Sequence, residues 1–255
     1  MFHRRQPRDP ATRFFVIACV AVFAVQFLAG RHWGPVEAMF GLSGRGLEHG
    51  ALWQLVTYQF LHANELHIFV NMLALWFAGR ELEPVIGTPR FVALYLIGGI
   101  VGGLAQVLLG GGELLIGASA SVCAVLLALT TLFPRLPVMA LLFFVLPIRM
   151  KAGTLGWVLV GASVAFWLSG FQPGVGHIAH LGGFATGFVF GLIFRGRLGE
   201  GGGNFVVLPD PPSGGPARML TADDVVAKVL RRGIDSLTRE ERRILEERQR
   251  TRPWR

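Results

Sequence analysis

The chain has 255 residues, of which 52% are hydrophobic and 16% are charged, and its mean hydropathy is +0.52. Soluble domains carry roughly 25% charged residues, so this composition argues against a soluble domain and predicts a membrane protein. The net charge of +8 does not indicate a nucleic-acid partner, because basic residues of a membrane protein collect in its cytoplasmic loops.

Six apolar stretches follow one another along the chain. They cover residues 14–29, 66–79, 91–110, 114–133, 152–170 and 174–194. Most approach the roughly 20 residues that a helix needs to cross a bilayer. The second stretch is shorter and is expected to continue past Arg80 to about Gly87. The predicted fold class is therefore all-α, a polytopic membrane protein with a bundle of six transmembrane helices.

The first stretch follows several arginines, so a cleaved signal peptide is an alternative. No convincing A-x-A site follows it before the polar loop, and a retained helix is expected. A further apolar run, 138–146, lies between Pro137 and Pro147 and is too short to span a bilayer. It is interpreted as a buried or interfacial connection. Counting it as a seventh span would place Arg195 and Arg197 outside, against the charge rule.

The basic residues give the orientation of these stretches. With the N-terminus in the cytoplasm, only Arg31 and Arg45 fall outside. The basic residues then placed inside, up to the end of the last stretch, are Arg4, Arg5, Arg8, Arg13, Arg80, Arg90, Arg135, Arg149, Lys151, Arg195 and Arg197. This asymmetry predicts a multi-pass membrane protein with both termini cytoplasmic. The membrane is expected to be the plasma (inner) membrane.

Four segments are expected along the chain: a cytoplasmic N-terminus (1–13), the membrane domain (14–197), a Gly/Pro-rich linker (198–219) and a cytosolic tail (220–255). The tail has helix-capping signals at Thr221 and at Thr238 with Glu241, which favour two short helices that could dock a cytosolic partner. A partly disordered basic tail is an equal alternative.

Polar residues lie near the start of the second, fourth and sixth stretches. His67 and Asn71 are spaced i to i+4 in the second, and Ser119 lies within GASAS in the fourth. His177 and His180 lie within GHIAHLGG in the sixth. Because these three stretches run in the same direction, their polar residues could converge in the outer part of the membrane. Intramembrane His and Asn indicate function by default, although interhelical hydrogen bonding is a rival and a Ser among small residues is usually packing.

Three kinds of site can be compared for these residues. A zinc site could draw on His62, His67, His177 and His180, but no H-E-x-x-H string is present, and Cys19 and Cys123 form no ligand motif. No metal is therefore expected. An aspartic protease needs paired carboxylates, which the apolar stretches lack.

A Ser–His pair then remains as a candidate. A neutral, oriented His180 could remove the proton of Ser119, and the donors for an oxyanion would be Asn71, His67 and the backbone N–H of Ser119. Ser121 lies two residues further, about 200° around the helix, and is the less favoured nucleophile.

From about residue 52 to 195 the sequence resembles the rhomboid family of intramembrane serine proteases, bacterial type. HIFVNMLALWFAGRELE is similar to its second helix, with His67 and Asn71 on the HxxxN oxyanion pattern. IGASAS is similar to the nucleophile motif at Gly117, Ala118 and Ser119, and AHLGGFATG, which includes Gly183, to the helix bearing the base His180.

The resemblance implies a six-helix bundle, no cofactor, and substrates that are transmembrane segments of other proteins with small residues at the cut site. The tail resembles a short domain that follows some bacterial rhomboid cores. The chain departs from the family pattern at Ala120, where Gly is usual, and at Cys123, where an aromatic residue is common.

Intramembrane proteolysis by Ser119 and His180 is thus the leading hypothesis, with the lipid bilayer and transmembrane substrates as partners and no nucleic acid. A catalytically silent rhomboid-like protein that binds transmembrane helices is the alternative; such relatives usually lack the Ser or the His. A transporter is a third class, but neither an inverted repeat nor charged residues at mid-membrane are evident.

Overall fold

The computed structural model describes residues 9–110, 114–142, 146–170, 174–200 and Thr238. Residues 1–8, most of the predicted linker and the tail apart from Thr238 lie outside the described residues. The predicted segment boundaries there stay predictions. Everything below concerns the unit Met1–Gly203, in which all the other described residues fall.

Helices dominate this unit. In chain order they are α1 (Pro10–Ala29), α2 (Gly34–Phe40), α3 (Gly44–Glu48), α4 (Gln54–Thr57), α5 (Glu65–Ile86), α6 (Thr88–Leu109), α7 (Ser119–Leu132), α8 (Ala152–Ser169) and α9 (His177–Glu200). Short 3-10 turns cover Gly30–Trp33 and Tyr58–Phe60. Two antiparallel strands, β1 (Pro137–Leu142) and β2 (Leu146–Lys151), form a hairpin between α7 and α8. The predicted all-α membrane fold is confirmed, with this hairpin as its one departure among the described residues.

Four of the described helices, α1, α6, α8 and α9, are long and apolar enough to cross a membrane. The protein is therefore a multi-pass membrane protein. The helix α5 has 22 residues, as the extended second stretch predicted, but its last turns are charged. The helix α7 has only 14 residues, because residues 114–118 of the fourth stretch are not helical. The exact count of six spans stays a prediction.

The long helices alternate in direction. The starts of α5, α7 and α9 meet at one end, since the ring of His67 reaches Gly117 and that of His180 reaches Ser119. We call this the site end. The start of α8 instead meets the end of α7, where the N–H of Gly153 donates to the Pro134 carbonyl. This opposite end, which also contains Gly87 between α5 and α6, is the far end.

The short helix α7 lies at the centre of the bundle. Most of its side chains are buried, and it packs against α5, α6, α8 and α9. Glycines on α9 allow the closest of these contacts: a Cβ at Gly183 would meet the Ala120 carbonyl oxygen, and one at Gly187 the Ala124 carbonyl oxygen. The absence of side chains at these α9 glycines is what permits this close helix packing. These contacts fix α9 against α7 along their length.

The carboxyl group of Glu83 fastens α5 to α1 at the far end. It is fully buried, and its two oxygens accept four hydrogen bonds. The donors are the N–H of Ala11 (3.0 Å), the N–H and hydroxyl of Thr12 (both 2.8 Å) and the hydroxyl of Thr88 (2.8 Å). A negative group at the first turn of α1 also favours that helix, since its initial N–H groups have no intrahelical acceptor.

Replacing Glu83 with alanine is expected to lower the free energy of unfolding by about 3 kcal/mol, because it leaves buried N–H and hydroxyl donors unpaired. The measurement is the thermal unfolding midpoint of the detergent-solubilised protein. Glu81→Ala is the matched control, since Glu81 is an exposed carboxylate on the same helix. Equal midpoints for the two variants would contradict this role of Glu83.

Candidate active site

Ser119 and His180 are in hydrogen-bond contact. Their Oγ and Nε2 atoms are 2.8 Å apart, and both residues are half-buried. Ser119 is the first residue of α7, and His180 lies in the first turn of α9, so the contact depends on the parallel packing of the two helix starts. At this distance the imidazole nitrogen can take the hydroxyl proton.

The backbone before α7 holds Ser119 at this position. Leu115 pairs with Leu42 through two backbone hydrogen bonds of 2.8 and 2.9 Å, and the N–H of Gly117 donates to the Tyr58 carbonyl at 2.9 Å. The loop between α1 and α5 thus fixes the non-helical segment from which α7 starts. Because α7 begins only at Ser119, the N–H groups of its first turn have no intrahelical acceptor.

His67 lies beside this segment. Gly117 has φ +129°, and a Cβ there would be 2.6 Å from Cε1 and 2.8 Å from Nε2 of the His67 ring. Only glycine tolerates both that backbone conformation and that approach. The Nδ1 atom accepts the N–H of Ala63 at 3.4 Å. In a neutral ring the proton is then on Nε2, so His67 presents an N–H donor toward the Gly117 backbone.

Asn71 lies one turn below His67 on α5 and is buried, with 6% of its surface exposed. Its Nδ2 donates to the His67 carbonyl at 2.9 Å, which uses one of its two N–H groups. The other N–H has no acceptor among the described residues. Asn71 and His67 are thus joined to each other, and His67 contacts the segment that leads to Ser119.

The other sequence candidates have different surroundings. The hydroxyl of Ser121 is buried and donates to Oε1 of Gln59 at 2.9 Å, so it is engaged away from His180. His177 is buried, and its ring centroid is 5.9 Å from that of His180 and 5.7 Å from that of Phe166. Among the described residues, no group of three His, Cys, Asp or Glu side chains is arranged to hold a metal ion.

Neither departure from the family pattern disrupts the contact between Ser119 and His180. The Ala120 side chain fits against Gly102, where the missing Cβ atom leaves room for it, and Gly183 packs against the Ala120 backbone. Cys123 is half-buried and lies one turn further along α7. The helix α5 does contain Glu81 and Glu83, beyond the apolar stretch considered for an aspartic protease, but these carboxylates lie toward the far end.

Sequence reasoning missed two glutamines that support the site. The Oε1 of Gln106 accepts the N–H of Ala179 at 3.2 Å, directly before His180, and so fixes the first turn of α9. Gln59 is fully buried, and besides accepting from Ser121 it donates to the Leu55 carbonyl at 2.9 Å. A polar residue in an apolar stretch was the available signal for Gln106.

His62, in the loop between α1 and α5, supports the site indirectly. Gln26 holds its backbone with two hydrogen bonds of 3.0 and 3.2 Å, and its ring packs edgewise on His67 with centroids 5.2 Å apart. Burial, followed by the neighbouring His67 ring, lowers the pKa of His62 to about 4. The folded protein therefore keeps His62 neutral at pH values at which the unfolded chain protonates it.

This shift of the His62 pKa predicts that stability falls as the pH falls. Below about pH 6.5 the His62 side chain binds a proton in the unfolded chain, whereas in the folded protein it stays neutral down to about pH 4. The free energy of unfolding therefore decreases as the pH falls between these two values. The unfolding midpoint should drop less from pH 7 to pH 5 in His62→Phe than in the wild type. Exposed His49 provides the control His49→Phe. An unchanged drop in His62→Phe would contradict the prediction.

Comparisons with known proteins identify the family to which the chain belongs. A family model described as "Rhomboid domain" matches residues 49–197, which is more than half of the chain. RHOMBOID-like protein 1 of Arabidopsis thaliana is 31% identical over 56% of this chain and 34% of its own length. RHOMBOID-like protein 5 of the same plant is 32% identical over 65% of this chain and 52% of its own length.

Rhomboid protease GlpG of Pectobacterium atrosepticum is 28% identical over 40% of this chain and 36% of its own length. The matched relatives are both plant and bacterial, so the bacterial type stays a prediction. The chain spans 34% to 57% of the length of the first plant relatives that it matches. The matched region contains α5, α7 and α9 with their polar residues, and this protein belongs to the rhomboid family of intramembrane proteases.

Proposed function

We propose that this protein is a serine endopeptidase that hydrolyses peptide bonds in or near transmembrane segments of other membrane proteins. The observation that carries the proposal is the 2.8 Å contact between Nε2 of His180 and Oγ of Ser119. A Ser hydroxyl is a weak nucleophile unless an adjacent base takes its proton, and this contact supplies that base. Membership of the rhomboid family supports the same chemistry.

The proposed reaction has two halves. His180 removes the Ser119 proton as Oγ attacks the scissile carbonyl carbon, and the protonated ring then gives the proton to the leaving amine. This leaves an acyl group on Ser119. A water molecule, deprotonated by His180, attacks the acyl carbon, and the collapse of the second tetrahedral intermediate returns the proton to Oγ.

The oxyanion of each tetrahedral intermediate needs hydrogen-bond donors that are already in position. Three are available: the N–H of Ser119 at the start of α7, Nε2–H of His67 beside Gly117, and the second N–H of Asn71. The positive end of the α7 dipole acts in the same direction. No acidic group bonds to His180 among the described residues, so the orientation of its ring depends on packing.

The proposed location follows from the charges. The far end carries Arg80, Arg90, Arg135, Lys151 and Arg195, which the positive-inside rule assigns to the cytoplasm. The site end then faces the outside of the plasma membrane, and both termini are cytoplasmic. A cytosolic partner for the tail remains part of the proposal.

The test is cleavage in proteoliposomes that contain only this protein and a reporter whose transmembrane helix has small residues near its outer end. Two products, with a single cut site identified by mass spectrometry, are expected. A reporter that co-purifies with the protein over many hours but stays intact would contradict proteolysis and favour the silent helix-binding alternative.

A further inference from the structure

A cavity at the far end takes no part in the proposed proteolysis. It has a volume of about 170 Å³ and lies between the end of α7, the start of α8 and the end of α9. Trp157, Phe188 and Leu192 form its apolar wall, and Thr130 and Thr131 add hydroxyl groups. Arg195, in the last turns of α9, also lines it. The cavity therefore combines an apolar wall with a cationic group.

The cavity opens toward the surface that faces lipid. Trp157 is 62% exposed and Leu192 is 48% exposed, and the Trp157 ring packs edgewise on Phe188 with centroids 5.9 Å apart. Trp157 is the sixth residue of α8, about 8 Å along the axis from the helix start. Tryptophan is enriched at this depth, where acyl chains meet headgroups. A membrane lipid thus has direct access to the cavity.

Besides Arg195, other basic residues lie close in sequence to the cavity lining, and none of them forms an ion pair within the part of the chain that the structure describes. Arg135 follows Pro134 of the cavity wall, Lys151 directly precedes α8, and Arg149 lies two residues earlier on β2; all are exposed, as is Arg195. The sequence has no Asp or Glu between Glu113 and Glu200. The ion pairs found among the described residues join Asp9 to Arg13 and Arg80 and involve none of these cations.

The hairpin of β1 and β2 carries Arg149 and Lys151 and so adds to this basic area at the far end. Both its ends continue into bundle helices, since α7 ends at Leu132 and α8 begins at Ala152. Val138 pairs with Met150 on one face, while Met139 pairs with Arg149 on the other. A lone hairpin is marginal in water, and this one contacts the bundle mainly through α8. A lipid surface would accommodate its apolar face while its cations reach the headgroups.

We propose that this cavity binds an anionic phospholipid of the surrounding leaflet. An acyl chain lies against Trp157, Phe188 and Leu192, and the headgroup phosphate is held by Arg195 and Lys151. Because Ala152, Gly156 and Ser163 are the buried residues of α8, most of this helix has an exposed surface along which the bound lipid can lie. The proposal does not depend on the chemistry of Ser119.

The test is a binding measurement on the full-length, detergent-solubilised protein, by native mass spectrometry. Dioleoyl phosphatidylglycerol is compared with dioleoyl phosphatidylcholine, which has the same acyl chains and no net charge. The wild type is expected to bind the anionic lipid at least about tenfold more tightly, and this preference should shrink with added salt. Equal affinity for the two lipids would overturn the proposal.

Charge variants locate the site. Lys151→Gln combined with Arg195→Gln should lower the affinity for phosphatidylglycerol about tenfold and leave that for phosphatidylcholine unchanged. Arg13→Gln removes one positive charge at the far end, on α1, which packs against α5 and α6, and should bind as the wild type does. Arg195→Lys keeps the charge and should retain most of the affinity.

Lys151→Gln alone and Arg195→Gln alone should each lower the affinity for phosphatidylglycerol about threefold. Because both positions are exposed, these single variants replace the double variant in the test if the double variant does not fold. Wild-type affinity for phosphatidylglycerol in the folded double variant or in both single variants would overturn the assignment. A loss of affinity in Arg13→Gln equal to that of a single cavity variant would do the same.

Discussion

Ser119→Ala is expected to abolish cleavage of a transmembrane reporter, and His180→Asn to slow it by at least about 10³-fold, since each removes one member of the 2.8 Å contact. Initial rates of product formation in proteoliposomes measure both effects. Because the two residues act as a unit, the double variant should be no slower than Ser119→Ala alone.

Ser121→Ala is the matched control for these variants. It removes a hydroxyl two residues along the same helix, and that hydroxyl donates to Gln59 rather than to His180. We expect a modest loss of stability and a turnover within a few-fold of the wild type. Loss of cleavage in folded Ser121→Ala with retention in Ser119→Ala would reverse the assignment of the nucleophile.

Asn71→Ala is expected to lower kcat about 10²-fold, which corresponds to about 3 kcal/mol, because one donor to the oxyanion is lost. KM should change little, since the donor acts mainly on the charge that develops in the transition state. Steady-state kinetics on the same reporter separate the two constants. The His67→Ala variant should show a similar pattern if Nε2–H of His67 is a second donor.

Asn71 also bonds to the His67 carbonyl, so a purely structural role must be distinguished. Asn71→Asp keeps the size of the side chain but places a negative charge near the oxyanion, and it should be slower than Asn71→Ala. A structural role predicts the reverse order, with turnover following the unfolding midpoint of each variant. That result would remove Asn71 from the proposed mechanism.

Apolar length and basic flanks were sufficient to predict the long helices. The apolar stretches have few other stable conformations in a bilayer, where each backbone group must be paired within the segment. The extension of α5 past Arg80 followed from the same pattern. The start of α7 at Ser119 did not, because residues 114–118 are as apolar as the helix and are held out of it by Leu42 and Tyr58.

The structure of the loop between α1 and α5, and that of the hairpin, could not be predicted from the sequence because neither has a pattern long enough to identify its elements. The short helices α2, α3 and α4 have too few turns to show periodicity. The run 138–146 was correctly excluded as a span. Its strands are defined by pairing across a turn, such as Val138 with Met150, which composition alone does not specify.

The candidate site was accessible from sequence because polar side chains are costly in a membrane and therefore few. Ser119, His180, His67 and Asn71 all lie at the site end. The sequence pattern could not predict that these side chains contact one another. Those contacts depend on the close approach that glycine allows at Gly117 and Gly183, and on the hydrogen bond from the N–H of Ala179 to Gln106. Those features act through tertiary packing.

The most direct test of the central claim is labelling of the detergent-solubilised protein with a fluorophosphonate probe, followed by mass spectrometry of the modified peptide. We predict one adduct, on Ser119, that is absent from folded Ser119→Ala and His180→Asn and present in Ser121→Ala. An adduct that persists in Ser119→Ala, or a folded wild type that does not react while an active rhomboid protease does, would contradict the account.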